Sequence, residues 1–214
     1  HLASIANDPM VDLNPSLSWD TSVLGSKILM DHLIKYNVKK IIYASSGSVY
    51  GIKKEKKVTE NLSLKPLSTY NKVKMTTERV ILSYKDKIDI IILRPATVCG
   101  FSPRMRLDLT VNLLTFQALK KKRITVFGGK QKRPNVHIDD MVDAYLFFIK
   151  NKKIKFGIFN IGFENLSILE IAKKISKKIK SKIIVKKNHN DARSYNLDSN
   201  KLLKTGFKPR KNIN

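Results

Sequence analysis

The chain is organised around residues 41–74, which read IIYASSGSVYGIKKEKKVTENLSLKPLSTYNKVK. The pattern predicts an apolar strand ending at Ala44, a serine-rich turn, a polar loop and a helix over residues 69–84. In open parallel sheets ligands bind beyond the carboxyl ends of the strands, so Ser45 and Ser46 fall on the side where a substrate would lie. A serine hydroxyl in that place can hold a substrate oxygen.

Tyr70 and Lys74 are four residues apart, so on a helix they share one face. An ammonium beside a phenol favours the phenolate, and a phenol of lowered pKa can exchange a proton with a substrate hydroxyl near neutral pH. The spacing therefore predicts an acid/base pair. Because a tyrosine and a lysine at this spacing usually form a solvated pair, the interpretation depends on the motifs around them.

Three motifs follow one another in a fixed order. The run SSGSVYG at residues 45–51 is followed by Tyr70-x-x-x-Lys74 and then by Leu93-Arg94-Pro95, which closes a second apolar strand. This order resembles the extended short-chain dehydrogenase/reductases, and more closely the NAD-dependent nucleotide-sugar epimerase/dehydratase family. The run QKRPNVHIDD at residues 131–140 is a second signature of that family. The resemblance covers nearly the whole chain.

The resemblance implies an α/β fold, with a Rossmann-type doubly wound parallel sheet and a smaller α/β substrate-binding lobe. Residues 1–100 would be the C-terminal part of the NAD-binding domain, and residues 101–214 mainly the nucleotide-sugar-binding lobe, interleaved with the last elements of the sheet. A dinucleotide site needs a Gly-rich turn and a later acidic residue, and the sequence carries neither. We therefore expect a chain that begins inside the fourth strand, stops before a last helix, and is unstable and inactive alone.

The resemblance also assigns roles to single residues. Tyr70 is the expected acid/base, Lys74 bonds the cofactor ribose, and Ser46 aligns the substrate oxygen. NAD is the expected cofactor, in preference to NADP. Its expected neighbours are Leu2, Ala3, Ser4, Ser22, Ala44, Ser45, Tyr70, Lys74, Pro95 and Val98. The expected substrate is a nucleotide-activated sugar, held by Ser46, Thr97, Asn112, Val126, Phe127, Arg133 and Arg193. A guanidinium such as that of Arg133 suits phosphate oxygens better than lysine does.

The activity is predicted to be epimerisation through a transient keto-sugar. Family dehydratases usually carry an acidic residue just after the Ser or Thr of the turn, where this chain has Gly47 and Ser48. A dehydratase or reductase of the same family remains an alternative. A non-catalytic nucleotide- or RNA-binding relative is the alternative from another class.

Composition adds further expectations. The net charge of +25 comes from lysines scattered over the whole chain, which does not favour nucleic acid as the ligand. No apolar run is long enough to span a membrane, and one cysteine, Cys99, allows no internal disulfide, which fits the cytoplasm. Cys99 and His137 are predicted to be structural, and no cluster has metal-site spacing. The resemblance implies a homodimer formed through helices 19–36 and 69–84.

Overall fold

The computed structural model describes residues 1–186 and 194–212 and shows a mixed α/β chain. Arg193, a predicted substrate residue, lies outside this part. The α-helices are α1 Asp8–Leu13, α2 Pro15–Trp19, α3 Gly25–Lys35, α4 Thr69–Leu82, α5 Thr110–Lys121, α6 Ile138–Lys150, α7 Ile168–Ile179 and α8 Asn200–Leu203. The strands are β1 Lys40–Ala44, β2 Asp89–Pro95, β3 Thr97–Cys99, β4 Arg123–Phe127, β5 Lys132–His137, β6 Phe156–Ile161, β7 Glu164–Ser167 and β8 Lys182–Lys186.

The chain divides into two compact units, each made of several segments. The first unit comprises His1–Gly51, Glu60–Pro95 and Tyr145–Asn160, and the second comprises Ile52–Thr59, Ala96–Ala144 and Ile161–Asn214. The predicted domain boundary at residue 100 stays a prediction. Among the helices of residues 1–186 and 194–212, none combines the length and the apolar character that crossing a bilayer requires.

The first unit is built on a sheet of strand order β1-β2-β6. Strands β1 and β2 are parallel, with Ile41 opposite Ile90 and Tyr43 opposite Ile92. The residues from Ile90 to Leu93 are fully buried, as expected of a parallel strand covered on both faces. Helices α3 and α4 contribute Met30 and Ile81 to the apolar core on this sheet. The two strands predicted from apolar runs are therefore confirmed.

His1 lies beside β1 in the manner of a parallel neighbour. Its terminal nitrogen donates to Ile42 O at 2.8 Å, and Ala44 N donates to His1 O at 3.2 Å. These two bonds flank Tyr43, which is the bonding pattern of a parallel ladder. Leu2 and Ala3 that follow are exposed. The backbone of His1 is thus held against the edge of β1 opposite β2.

The helix predicted over residues 19–36 is instead a succession of three helical segments. Helix α2 ends at Trp19, a π-helix occupies Asp20–Leu24, and α3 continues from Gly25 to Lys35. Gly25 N donates to Asp20 O, the i to i−5 bond that defines the π turn. The apolar periodicity of the sequence cannot reveal this π turn, because the turn adds only one residue to the helix. The π turn carries Ser22, one of the predicted cofactor neighbours.

The second unit holds the remaining two sheets. Their strand orders are β3-β5-β7 and β4-β8. Strand β4 is parallel to β8 and packs beneath α5 and α7, with Ile124, Leu114 and Ile171 in one apolar cluster. Helix α5 begins at Thr110 and ends at Lys121.

Candidate active site

The serine-rich turn leaves the carboxyl end of β1 as a tight 3₁₀ turn over Gly47–Tyr50. Ser46 caps this turn, because its Oγ accepts from Ser48 N at 3.2 Å. The turn ends at Gly51, whose φ is +68°, and a Cβ built there would lie 2.0 Å from Lys65 O. Only glycine fits this position. The turn therefore gives Ser46 and Ser48 defined places at the end of the strand.

Helix α4 begins with a cap at Ser68, whose Oγ accepts from Asn71 N at 3.2 Å. Its first two turns carry Tyr70 and Lys74. The Lys74 Nζ lies 5.9 Å from the centre of the Tyr70 ring and donates to Ala44 O at 2.9 Å. The helix face predicted from the spacing thus brings these two side chains together at the end of β1.

The Lys74 ammonium is buried and desolvated. The residue is 4% exposed. Burial lowers the pKa of Lys74 to about 8, and the negative charge of Glu78, one helical turn further along, opposes this decrease. A second negative charge beside the ammonium would stabilise the protonated form in the same way. Lys74 is therefore suited to stabilise a neighbouring phenolate.

A buried polar network lies behind this pair. Arg94 Nε and Nη2 donate to Glu78 Oε1 and Oε2 at 3.0 and 2.6 Å, and Arg94 Nη1 donates to the Tyr50 hydroxyl at 2.8 Å. The Tyr50 hydroxyl in turn donates to Asn160 Oδ1 at 2.8 Å. Burial is the main cause that raises the pKa of Tyr50 to about 12. Tyr50 therefore stays protonated near neutral pH.

The predicted cofactor residue Ser45 belongs to the same network. Its Oγ donates to Glu78 Oε1, and its backbone nitrogen donates to Leu93 O at 2.8 Å. The hydroxyl is therefore directed into the protein, and contact with a cofactor would fall to the backbone of Ser45.

The residues of the first unit fit a polar cofactor on two counts. The Lys74 ammonium has three protons, and the described part of the chain supplies one hydrogen-bond acceptor for them, Ala44 O. The Ser22 hydroxyl is buried and has no hydrogen-bond partner among the residues that the structure describes. Buried polar groups are normally paired, so both suit a ligand that carries hydroxyl groups.

The other predicted cofactor neighbours are less enclosed. Leu2 is 68% exposed, Ala3 is exposed, and the Ser4 hydroxyl donates to Ile5 O at 3.2 Å. Pro95 is the last residue of β2. Val98 lies on β3 and belongs to the second unit.

Among the described residues, the predicted substrate residues other than Ser46 belong to the second unit. Asn112 Oδ1 accepts from Gly100 N at 3.2 Å, and Asn112 Nδ2 donates to Arg106 O at 2.9 Å, so this amide is engaged with backbone. A contact between Asn112 and a diphosphate requires one of these bonds to be exchanged. The others lie on strands: Thr97 on β3, Val126 and Phe127 on β4, and Arg133 on β5.

Val126 is fully buried, whereas Phe127 at the end of the same strand is 47% exposed. Arg133 is partly buried, and its Nη1 donates to Lys132 O at 3.2 Å. The roles of these residues in substrate binding stay predictions.

Cys99 and His137 have structural surroundings. Cys99 is 4% exposed, and burial raises the pKa of its thiol to about 11. His137 Nδ1 accepts from Asp139 N at 3.2 Å at the start of α6. Within residues 1–186 and 194–212, no group of three His, Cys, Asp or Glu residues could hold a metal ion.

Sequence reasoning missed two residues of this site. Asn71 Oδ1 accepts from Ser48 Oγ at 2.5 Å, and Glu78 bonds both Ser45 and Arg94. Glu78 lies four residues after Lys74, so the i, i+4 rule of helices could have found it. For Asn71 the sequence gives no signal, because its partner is 23 residues away.

A parallel sheet with Ser46 beyond one strand, beside a helix that carries Tyr70 and Lys74, defines the extended short-chain dehydrogenase/reductase class. The model of the NAD dependent epimerase/dehydratase family matches residues 1–162. The chain belongs to this family.

The chain is similar to several known epimerases. The UDP-glucose 4-epimerase of Lactobacillus helveticus is 30% identical over 200 residues, which are 82% of this chain and 60% of that protein. The UDP-glucuronic acid 4-epimerase from Bacillus cereus, solved with UDP-glucuronic acid and NAD, is 28% identical with a TM-score of 0.82, over 99% of this chain and 69% of that one. The UDP-glucose 4-epimerase from Thermotoga maritima, solved with UDP-glucose, is 27% identical with a TM-score of 0.85, over 100% of this chain and 72% of that one.

The predicted Rossmann-type α/β class is confirmed by these structural likenesses. The chain spans 60% and 46% of the length of the first two curated relatives that it matches.

Proposed function

We propose that the whole protein is an NAD-dependent epimerase that works in the cytoplasm on a nucleotide-activated sugar, through a transient keto-sugar. The observation that carries the proposal is the buried Lys74 ammonium, 5.9 Å from the ring centre of Tyr70, with one protein acceptor among the described residues. Family membership and the likeness to epimerases solved with UDP-sugars support the same conclusion.

In this proposal each residue of the site has a stated task. Tyr70 takes the proton of a sugar hydroxyl while the hydrogen on the same carbon leaves as hydride, which turns the alcohol into a ketone. Bound NAD supplies the chemistry of hydride acceptance and return. Tyr70 gives the proton back when the hydride returns to the other face of the sugar carbon, so that no cofactor is consumed.

Lys74 and Ser46 hold the reacting groups in place. The Lys74 ammonium stabilises the tyrosine as phenolate, and its remaining protons suit the hydroxyls of the cofactor ribose. Ser46 holds the substrate oxygen during both transfers. The Ser22 hydroxyl, for which residues 1–186 and 194–212 supply no hydrogen-bond partner, is a second candidate contact for the cofactor.

Epimerisation is preferred over dehydration for a chemical reason. A dehydratase must also remove a proton and a hydroxyl at neighbouring carbons, which requires further acid/base groups. The turn after Ser46 carries Gly47 and Ser48 and no carboxylate, and the Ser48 hydroxyl is bonded to Ser46 and Asn71. A dehydratase or reductase of the family is the second candidate, and a non-catalytic nucleotide- or RNA-binding protein is the third.

An isotope experiment separates these candidates. The whole protein is incubated with UDP-glucose or UDP-glucuronic acid that carries deuterium at C4 of the sugar, and the products are analysed by NMR. An epimerase returns the deuterium to C4 with inverted configuration. A product that has lost water indicates a dehydratase, and net reduction or oxidation of the cofactor indicates a reductase. Unchanged substrate, with RNA bound more tightly than the nucleotide sugar, would indicate a binding protein.

We also propose that the protein forms a homodimer through the segments 19–36 and 69–84. Leu24 and Ile28 lie one helical turn apart and are 53% and 49% exposed. Leu17, on the preceding helix, is 50% exposed. Exposed apolar side chains such as those of Leu24 and Ile28 are suited to pack against a second copy.

A further inference from the structure

We propose that Asn71 is a positioning residue that directs the hydroxyl of Ser46 through the hydroxyl of Ser48. The inference rests on the proposed function, in which Ser46 holds the substrate oxygen. It assigns a role to a side chain that touches neither substrate nor cofactor in that proposal.

Three side chains form a continuous chain of hydrogen bonds within the first unit. The Oγ atoms of Ser46 and Ser48 are 2.7 Å apart, and Ser48 Oγ donates to Asn71 Oδ1 at 2.5 Å. Asn71 is 8% exposed, and Ser46 and Ser48 are partly buried. The chain therefore joins the turn after β1 to the first turn of α4, at the residue that follows Tyr70.

The Asn71 amide oxygen fixes the direction of donation in this chain of hydrogen bonds. A carbonyl oxygen can only accept, so the single proton of Ser48 is committed to Asn71. Ser48 Oγ consequently offers a lone pair to Ser46, whose proton is held there. The order of donation is thus Ser46 to Ser48 to Asn71.

This order suits a residue that must meet a substrate oxygen in two oxidation states. The single proton of the sugar hydroxyl goes to Tyr70, so the sugar oxygen needs a donor both in the hydroxyl and in the ketone formed from it. Ser46 supplies this donor by turning its O–H bond from Ser48 to the sugar oxygen, while Oγ stays in place. Asn71 holds the Ser48 proton, so that Ser48 Oγ presents a lone pair that fixes the Ser46 hydroxyl until its proton turns to the substrate.

The side chains of Ser46, Ser48 and Asn71 contain no group that titrates between pH 6 and 9. The effect of their hydrogen bonds on kcat can therefore be separated from that of the acid/base pair. A variant that weakens these hydrogen bonds should lower kcat without changing the shape of the pH profile. A variant that disturbs Tyr70, the preceding residue, should change that shape, because Tyr70 and Lys74 carry the titrating groups.

The test uses Asn71→Leu, which removes the acceptor, and Asn71→Asp, which keeps an acceptor oxygen of similar size. In the whole protein Asn71→Leu should lower kcat for epimerisation about ten- to a hundred-fold, since a small misplacement near the reacting atoms has costs of this size. KM should change less than about two-fold, as expected when an interaction specific to the transition state is lost. Asn71→Asp should recover most of kcat.

Ser48→Ala decides whether Asn71 acts through Ser48. In that background Asn71→Leu should have no further effect on kcat, because both substitutions interrupt the same chain. Equal losses in both backgrounds would overturn the proposal, as would an unchanged kcat in Asn71→Leu or a shifted pH profile.

A second readout needs no substrate. If the Ser48 hydroxyl forms a hydrogen bond with the Asn71 side-chain amide, the equilibrium constants of unfolding of the single and double variants should show a coupling of about five-fold. Independent effects would mean that the hydrogen bond is absent. A wild-type protein without turnover on any nucleotide sugar would overturn the proposed function, and with it the catalytic role of Asn71, whether or not this coupling is found.

Discussion

Arg94 and Glu78 form a bidentate ion pair that is almost completely buried. Arg94 Nε and Nη2 lie 3.0 and 2.6 Å from the two carboxylate oxygens, and the side chains are 3% and 1% exposed. The pair connects β2 to α4, one helical turn beyond Lys74. It therefore fixes the helix that carries the proposed acid/base residues against the strand beside the serine turn.

Glu78→Gln should destabilise the protein by about 3–5 kcal/mol, because it leaves the Arg94 charge buried without its counter-ion. Urea unfolding followed by circular dichroism measures the change. The matched control is Asp108→Asn, which breaks the exposed pair of Asp108 with Arg106 and should have an effect of at most about 1 kcal/mol. Similar effects of the two substitutions would mean that the buried pair does not stabilise α4.

Tyr70→Phe should lower kcat of the whole protein by at least about a hundred-fold and leave binding of the nucleotide sugar within about two-fold, because only the proton-transferring hydroxyl is removed. Steady-state kinetics and calorimetric titration measure the two quantities. Tyr36→Phe is the control, since Tyr36 is 68% exposed on the same unit. Full activity of Tyr70→Phe would exclude this tyrosine as the acid/base.

Lys74 should make the stability of the nucleotide-free protein rise with pH. Burial lowers the pKa of Lys74 to about 8, whereas in the unfolded chain it is near 10.5. Between these values the unfolded state binds more protons, so unfolding becomes less favourable as pH increases. The contribution is present in full above pH 10.5 and is lost as pH falls through 8.

The size of this contribution is about 3 kcal/mol. Comparing urea unfolding of the wild type and of Lys74→Met between pH 7.5 and 10.5 isolates it, because all other groups are common to both proteins. The difference in free energy of unfolding between the two proteins should change by roughly this amount over the range. A constant difference would show that Lys74 keeps its ordinary pKa.

Lys40→Met should destabilise the protein by about 1–2 kcal/mol. The Lys40 ammonium donates to the backbone oxygens of Phe148, Asn151 and Ile154 at 3.4, 2.8 and 3.0 Å, at and just beyond the end of α6. Its loss leaves carbonyls without a charged donor at the negative end of a helix. The adjacent exposed Lys39, changed to Met, is the control and should have little effect in thermal unfolding.

Ile28→Lys should convert the proposed dimer into monomers, because a charge would have to be buried in an apolar interface. Light scattering coupled to gel filtration gives the mass directly. Val142→Lys is the control, since Val142 is 48% exposed on α6, which belongs to neither segment of the proposed interface. A monomeric wild type, or an Ile28→Lys variant that stays dimeric, would contradict the proposed homodimer.

Periodicity in the sequence predicted the strand that ends at Ala44, the apolar strand closed by Leu93-Arg94-Pro95, and the helix that carries Tyr70. It also placed Tyr70 and Lys74 on one face, because that relationship depends only on the spacing of residues within one helix. It could not predict the π turn at Asp20–Leu24, since one extra residue in a helical turn leaves the apolar pattern nearly unchanged.

By itself the sequence determined what short-range geometry dictates: the apolar strands, the serine turn closed by Gly51, and the Tyr70 and Lys74 pair. The tertiary structure alone decided which distant side chains share a hydrogen bond. Ser48 meets Asn71 and Arg94 meets Glu78 only after β1, β2 and α4 have packed. The desolvation that lowers the pKa of Lys74 has the same origin, because burial depends on the residues that surround a group in space and not on its neighbours along the chain.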